Sequence, residues 1–158
     1  MKIFVGCDHA GFGLKEKLVP YLLKLGFEVE DKGAHEYNED DDYPDYIIPV
    51  AREVSKHPNN VRGILLGGSG EGEAMAANKF SSVRAAVYYG NKSCIVLDDN
   101  RTIIGEIRED NNSNILSIGA RFVTVEEMKE DVKLWLETPF SNDERHIRRI
   151  NKIDHIHE

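Results

Sequence analysis

Short apolar runs alternate with longer segments of helical periodicity along this chain. The runs predict five β-strands, at 2–7, 27–30, 63–66, 83–88 and 114–118. The third run is continuously apolar, which is typical of a strand buried on both faces of a parallel sheet. Because strands that alternate with helices predict βαβ units, we expect an open α/β sandwich around a parallel sheet.

The first helix is predicted at residues 10–25, where four leucines recur at spacings of four, four and three residues. These are Leu14, Leu18, Leu22 and Leu25. Gly26 stands where a glycine commonly follows the last helical turn. Pro20 lies inside the pattern, and we expect it to kink or shorten the helix.

Further helices are predicted between the later strands. One covers 43–56, with Pro49 as a second expected break, and the next begins near Glu73. Thr124 followed by Glu127 matches a capping box, which predicts the start of a helix that runs through the single tryptophan.

Residues 93–109 fit this alternation worst. Their pattern predicts a hairpin with a strand at 94–97, a turn at 98–100 and a returning strand at 102–104.

Length and composition indicate one globular unit. A chain of 158 residues favours a single domain over 1–158, with a C-terminal arm at about 138–158. Hydrophobic residues make up 41% and charged residues 30%, which excludes a disordered chain.

No apolar run reaches the roughly 20 residues that span a bilayer, and the opening strand leaves no room for a signal peptide. Cys7 and Cys94 are too few for a disulfide framework or a zinc site, so we expect a cytoplasmic protein without metal or membrane partners.

The charge balance excludes one class of partner and draws attention to one cluster. Twenty basic residues against 28 acidic residues give a net charge of −8, which argues against a nucleic-acid surface. Against this background a cationic cluster near the C-terminus favours a bound anion, with a solvated charge run as the plainer alternative. Its members are Arg145, His146, Arg148 and Arg149.

Two loops lie where open α/β sheets bind ligands, beyond the carboxyl ends of the strands. They are 6–11 and the glycine-rich loop 67–73. Four glycines and a following helix start in the second loop can hold a phosphate or a developing oxyanion. The loop lacks the Gly-Lys-Ser/Thr of a P-loop, and Glu73 or Met75 occupies the last glycine of a dinucleotide fingerprint. A tight turn without a ligand is the alternative.

Titratable and hydroxyl side chains in these two loops are the candidates for chemistry. Glu73 is a general base or a helix cap, whereas Glu71 favours simple helix-dipole chemistry. Ser69 is a hydroxyl donor or an N-cap. His9 can bind phosphate or move protons and Asp8 can position a sugar hydroxyl, with a structural role for the tandem equally open.

Five short motifs occur together in one order: GCDHAG at 6–11, DYPDY at 42–46, GILLGGSG at 63–70, AANK at 76–79 and RHIRR at 145–149. Over roughly residues 1–154 they resemble the ribose-5-phosphate isomerase B family, which includes the galactose-6-phosphate isomerase subunits. The resemblance implies a Rossmann-like three-layer α/β/α sandwich with a five-stranded parallel sheet and a C-terminal arm. It also implies a homodimer, often paired into a tetramer, and interconversion of an aldose phosphate and a ketose phosphate through an enediolate, without metal or cofactor.

The resemblance assigns the catalytic base. Many family members place a catalytic cysteine where this chain has Gly67, which excludes a thiolate at that position. A second branch has Gly-Gly-Ser-Gly-x-Gly-Glu and uses the glutamate, and this chain matches that branch. Glu73 is then the base, and Ser69 helps to move protons between the substrate oxygens. The backbone of 68–72 is implied to stabilise the enediolate.

The resemblance also implies a set of substrate-binding residues. Asp8 and His9 match positions that contact the sugar ring and either the phosphate or the ring oxygen, and Tyr43 matches a pocket tyrosine. Asn111 and Arg121 match positions that enter the pocket from the neighbouring subunit. Arg145 and Arg149 match the phosphate-binding arginines of the C-terminal arm, with His146 between them. The remaining implied substrate contacts are Gly68, Gly70 and Gly72.

One departure from the family pattern bears on the substrate. A histidine implicated in opening the furanose ring usually precedes the Asn-Asn or Asn-Asp pair, and this chain has Asp110 there. The expected substrate pair is ribose 5-phosphate and ribulose 5-phosphate. A six-carbon sugar phosphate, of the galactose 6-phosphate or allose 6-phosphate type, and a non-catalytic sugar-phosphate-binding protein are the alternatives.

Overall fold

The computed structural model describes residues 1–90 and 102–156. Its elements follow the chain in this order: β1 (Lys2–Cys7), α1 (His9–Lys24), β2 (Glu28–Asp31), α2 (Pro44–Lys56), β3 (Val61–Gly67), α3 (Glu71–Ala77), β4 (Ala85–Tyr88), α4 (Ile103–Glu109), β5 (Ile115–Gly119), α5 (Val125–Glu137) and α6 (Glu144–Asp154).

The strands form a five-stranded sheet with the order β2-β1-β3-β5-β4, in which every pairing is parallel. The predicted parallel sheet is therefore confirmed. The apolar strand β3 lies in the middle and pairs with β1 and β5. Its central residues Ile64, Leu65 and Leu66 are fully buried, as the continuous apolar run predicted.

Two hydrophobic clusters lie on the two faces of this sheet and give the three layers. On one face α1 and α5 supply fully buried side chains such as Leu18, Leu22 and Trp135. On the other face α2 and α3 supply Ile47 and Ala77, both fully buried. Burial of apolar surface on both faces is the main favourable term in the stability of such a sandwich.

Helix α1 ends as its sequence predicts. The Gly26 N–H donates to the Leu23 carbonyl at 3.0 Å, and the Phe27 N–H donates to the Leu22 carbonyl at 3.2 Å. This is the Schellman pattern, and Gly26 adopts the required positive φ of 87°. Pro20 does not shorten the helix, which runs through to Lys24.

Proline is tolerated inside α2 as well. Pro49 lies within the helix and does not break it. Ile47, Val50 and Val54 are fully buried against the sheet. The packing of this face offsets the backbone hydrogen bond that a proline removes.

The hairpin predicted for 93–109 is wrong where the structure describes it. Residues Ile103–Glu109 form α4 instead of continuing a returning strand at 102–104. Thr102 caps this helix, because its hydroxyl oxygen accepts from the Gly105 N–H at 3.1 Å. Buried Ile104 and Ile107 give the helix its core face. The predicted strand at 94–97 and turn at 98–100 lie outside the described residues.

The C-terminal arm returns to the body of its own chain. The Ser141 N–H donates to the Glu109 carbonyl at 3.1 Å, and Arg84 pairs with Asp154 at 3.0 Å. Between these points α6 buries Ile150. None of the helices in 1–90 and 102–156 has both the length and the apolar character needed to cross a bilayer.

Candidate active site

The candidate site lies at the carboxyl edge of the sheet, where β1, β3 and β5 end side by side. The Asp8 N–H donates to the Leu66 carbonyl at 3.3 Å, which joins the first loop to the end of β3. The Ala120 N–H donates to the Gly67 carbonyl at 2.8 Å, which joins the end of β5 to the glycine-rich loop. The two predicted loops and a third from β5 therefore meet at one place.

The glycine-rich loop turns sharply into α3. Gly70 is the N-cap and has a positive φ of 78°, a conformation that side chains other than glycine rarely adopt. A side chain at Gly70 would also lie 3.1 Å from the backbone nitrogen of Gly119. Helix α3 begins at Glu71, two residues before the predicted start, so Ser69 is not the N-cap. The exposed Ser69 hydroxyl oxygen accepts from the Glu71 N–H at 3.3 Å.

The Glu73 carboxylate lies at the floor of this loop and is 4% exposed. It occupies the space beside Gly67: a Cβ built on Gly67 would overlap the carboxylate. Burial raises the pKa of Glu73 above its ordinary value, the hydrogen bond from its own backbone N–H opposes this rise, and nearby Asp8 adds to it. A buried carboxyl group with a raised pKa is suited to take and return a proton.

Two more predicted residues border the loop. A side chain at Gly72 would lie 2.9 Å from the ring of Tyr43, so the tyrosine packs directly against the loop. A side chain at Gly68 would lie 3.0 Å from the Arg121 guanidinium carbon. Arg121 therefore lies beside the glycine-rich loop of its own chain. Its entry into the site of a neighbouring subunit stays a prediction of the resemblance.

Asp8 and His9 open α1 at the same edge. The Asp8 carboxylate is nearly buried and accepts from the Gly11 N–H at 3.0 Å, which makes it the N-cap of α1. The His9 Nδ1 atom lies 2.6 Å from Asp41 Oδ1. The hydrogen bond to Asp41 raises the pKa of His9 above its ordinary value.

Asp41 is the site residue that the sequence analysis missed. It belongs to an acidic loop whose charges look like a solvated surface, yet its side chain is only 3% exposed. Asp8, His9 and Asp41 offer ligand atoms within 4.8 Å of one another, a spacing that a metal ion could use. Since Asp41 Oδ1 is already bonded to the His9 ring and Asp8 to a helix N-terminus, we assign no metal to them. Its position two residues before Tyr43 is the only signal in the sequence that could have found Asp41.

The remaining predicted residues lie at the opposite edge of the sheet. Helices run antiparallel to the strands in βαβ units, so the end of α4 brings Asp110 and Asn111 to the amino edge. Asn111, Asp110 and Arg149 line one cavity of about 480 Å³ there. Arg145 is exposed on the same helix as Arg149. Within one chain these residues do not meet Glu73.

His146 differs from the arginines beside it. Its side chain is 1% exposed, and its Nδ1 atom lies 2.9 Å from the Asp110 carbonyl oxygen and 3.3 Å from Asp110 Oδ1. His146 Nε2 is buried and has no hydrogen-bond partner among the described residues. In its own chain His146 therefore attaches α6 to the end of α4.

Cys7 takes no part in this arrangement as a nucleophile. It is fully buried in β1, and burial raises the pKa of its thiol to about 12. A thiol of that pKa is protonated at neutral pH and unreactive. The second cysteine, Cys94, lies outside the described residues.

The fold and the site define a class: an α/β protein with a glycine-rich loop, a buried carboxylate and cationic side chains at the carboxyl edge of a parallel sheet. The family model described as Ribose/Galactose Isomerase matches residues 3–153. The chain belongs to this family.

Relatives in the family match almost the full length of the chain. A ribose-5-phosphate isomerase B from Mycobacterium tuberculosis is 38% identical over 151 residues, which cover 96% of this chain and 86% of the relative. One from Escherichia coli is 37% identical over 157 residues and covers 99% and 97% of the two chains.

A solved structure supports the same fold. Ribose-5-phosphate isomerase B from Mycoplasma genitalium, with bound ribulose-5-phosphate, aligns with a TM-score of 0.89 and 35% identity, covering 98% of this chain and 95% of that chain. The Rossmann-like sandwich that the resemblance implied is confirmed.

Proposed function

We propose that this chain is an aldose–ketose isomerase that interconverts ribose 5-phosphate and ribulose 5-phosphate through an enediolate. The observation that carries the proposal is the buried Glu73 carboxylate, which fills the space beside Gly67 at the end of the central strand. Membership of the Ribose/Galactose Isomerase family and the ribulose-5-phosphate bound by the Mycoplasma genitalium relative support this substrate class.

Glu73 is the base of the proposed reaction. Its carboxylate takes the proton from C2 of the open-chain aldose and returns it to C1, so the same group acts as base and then as acid. The raised pKa of Glu73 supports this exchange, because the protonated form must persist until the proton is returned. Ser69 is exposed at the loop, where its hydroxyl moves protons between the two substrate oxygens.

The glycine-rich loop stabilises the enediolate oxygens. Gly68, Gly70 and Gly72 let the backbone approach a ligand, and its N–H groups are fixed before the reaction begins. Asp8 and Tyr43 border the same space and contact the sugar hydroxyls.

Two cations mark the phosphate end of the site within one chain. The Arg121 guanidinium lies against Gly68, and it is close enough to His9 to oppose the rise in the pKa of that imidazole. A phosphate between them would receive charge-assisted hydrogen bonds from both side chains.

The full site is shared between two copies of the chain in a homodimer, which can pair into a tetramer. Asn111, Arg145 and Arg149 lie at the amino edge of the sheet, and a second copy is needed to bring them to Glu73. His146 holds the arm that presents them. We propose a cytoplasmic location for this metabolic enzyme.

Asp110 favours a second candidate within the same reaction class. It stands where the family usually has the histidine implicated in ring opening, and its carbonyl and carboxylate hold His146. Isomerisation of a six-carbon sugar phosphate, of the galactose 6-phosphate or allose 6-phosphate type, is the activity expected if this replacement prevents use of a furanose.

Metal-free isomerisation assays of wild type and Glu73→Gln test the proposal. Wild type should convert ribose 5-phosphate, and Glu73→Gln should reduce kcat by at least about a hundredfold, as expected for loss of a general base. Glu126→Gln, an exposed Glu-to-Gln change in the first turn of α5, is the matched control.

Turnover of a six-carbon substrate alone would favour the second candidate. An inactive wild-type protein that still binds sugar phosphates would instead indicate a non-catalytic binding protein.

A further inference from the structure

The buried side chain of Asp41 contacts both the ring and the backbone of His9. Asp41 Oδ1 lies 2.6 Å from His9 Nδ1 and 3.3 Å from the His9 backbone nitrogen, which also donates to it. These two contacts fix both the backbone and the ring of His9 to one carboxylate oxygen.

Asp41 has one ion-pair partner, His9, in the part of the chain that the structure describes. Its side chain is 3% exposed, and its second oxygen, Oδ2, is buried without a hydrogen-bond partner there. Because an ionised carboxylate is costly to bury without a paired charge, the arrangement favours the charged imidazolium of His9 over the neutral ring.

The His9 ring is also confined from the side. The Tyr37 ring meets it edge-on, with the ring centroids 6.3 Å apart and an interplanar angle of 87°. With Nδ1 held by Asp41, the Nε2–H of the imidazolium is left for a ligand. The His9 side chain is 28% exposed, so a ligand can reach it.

We propose that Asp41 is a positioning residue that holds His9 as an imidazolium directed at the phosphate of the substrate. This inference rests on the proposed function, because the phosphate belongs to the sugar phosphate bound there. Asp41 acts through His9 and does not itself contact the substrate.

The charged groups that face His9 agree with this role. Asp41 and Asp8 favour the imidazolium, whereas Arg121 on the loop after β5 opposes it, and the net effect is a raised pKa. Without the hydrogen bond to Asp41, burial of the ring becomes the largest influence on the pKa of His9 and lowers it, with Arg121 acting in the same direction. Phosphate would then lose, near neutral pH, one of the two cationic partners that this chain supplies at the carboxyl edge.

NMR titration of the His9 imidazole in Asp41→Asn tests the pair directly. The variant is nearly isosteric, and the pKa of His9 should fall to or below its ordinary value. Asp40→Asn, an exposed change in the same loop, should leave this pKa unchanged. An unchanged pKa in Asp41→Asn, or an equal fall in both variants, would overturn the proposal.

Binding of inorganic phosphate supplies a readout that does not need turnover. At about pH 7.5, Asp41→Asn should bind phosphate about tenfold more weakly than wild type, and the gap should narrow towards about pH 5.5, where the variant's His9 also gains its charge. Comparison at each pH cancels the titration of phosphate itself. A loss of binding that is the same at both pH values would indicate damage to the fold and overturn the proposal.

A double-mutant cycle and steady-state kinetics complete the test. In a His9→Gln background, Asp41→Asn should have no further effect on phosphate binding, since Asp41 acts through the His9 ring.

With ribose 5-phosphate, Asp41→Asn should raise KM about tenfold while kcat stays within about twofold. If phosphate binding behaves as expected but wild type turns over no sugar phosphate, the proposed function fails and the role of Asp41 in anion binding stands.

Discussion

Glu73 and Gly67 depend on each other at the scale of single residues. The carboxylate of Glu73 occupies the volume that any side chain at position 67 would need. A side chain at position 67 would therefore require the Glu73 carboxylate to move. The sequence allows this interpretation through the family branch, but the overlap itself is a property of how α3 begins against β3.

The burial that raises the pKa of Glu73 also has a cost to stability. The folded state holds the Glu73 proton at a pH where the unfolded chain has released it, so stability falls as pH rises from the unfolded pKa towards the raised folded pKa. Glutamine does not ionise and avoids this loss. We therefore expect Glu73→Gln to be more stable than wild type at pH 7.5, by about 1.4 kcal/mol for each pKa unit of the shift.

Urea unfolding of wild type and Glu73→Gln at equal protein concentrations would measure this difference. The advantage of the variant should shrink towards zero near about pH 4, where the carboxyl group is protonated in both states. A difference that stays constant between the two pH values would contradict the explanation. Loss of activity together with gained stability would mark Glu73 as a functional residue.

At the scale of the element, local sequence signals set the ends of the helices. The Thr124 hydroxyl oxygen accepts from the Glu127 N–H at 3.2 Å, and the Glu127 carboxylate accepts from the Thr124 N–H at 2.8 Å. Each partner lies within three residues in sequence, so the capping box was predictable. Interior prolines were not predictable in this way, since packing of α1 and α2 on the sheet decides that Pro20 and Pro49 are tolerated.

Replacement of the α5 cap gives a prediction at this scale. Thr124→Ala removes the hydroxyl that satisfies the Glu127 N–H and should lower the free energy of unfolding by about 1 kcal/mol. Thr124→Ser keeps the hydroxyl and should retain most of the stability. Urea midpoints at one protein concentration would measure both, and equal losses in the two variants would show that the hydrogen bond is not the cause.

The region around α4 shows where local signals fail. The apolar run at 102–104 is too short to show a helical period, so its pattern predicts a strand. The helix forms because Thr102 caps it and because Ile104 and Ile107 enter the core on one face. Burial in the tertiary structure therefore decides between helix and strand here. The seven residues of α4 alone do not predict it.

At the scale of the whole molecule, the predicted site residues divide into two groups. Glu73, His9 and Arg121 lie at the carboxyl edge, while Asn111 and Arg149 lie at the amino edge. The division follows from the direction of the strands, because each helix returns the chain to the amino edge. A single chain therefore carries both groups of residues, but at opposite edges of the sheet, where they cannot form one site together.

Co-expression of two inactive variants tests the shared site. Glu73→Gln damages one half and Arg149→Ala the other, so each variant alone should be nearly inactive. A mixed dimer has one site in which Glu73 and Arg149 are both intact. With random pairing, half of the dimers are mixed, and the mixture should recover about a quarter of the wild-type activity per chain. No recovery in purified mixed dimers would show that both groups act within one chain.

The sequence by itself determined the parallel α/β fold, the position of the glycine-rich loop, the C-terminal end of α1 and the N-terminal cap of α5. These follow from period, glycine placement and contacts between residues close in the chain. Only the tertiary structure decided that Asp41 supports His9, that Arg121 lies beside Gly68 and that His146 faces the interior. Each of these contacts joins residues that are far apart in sequence and are brought together by strand order and helix packing. A local sequence pattern cannot predict such contacts.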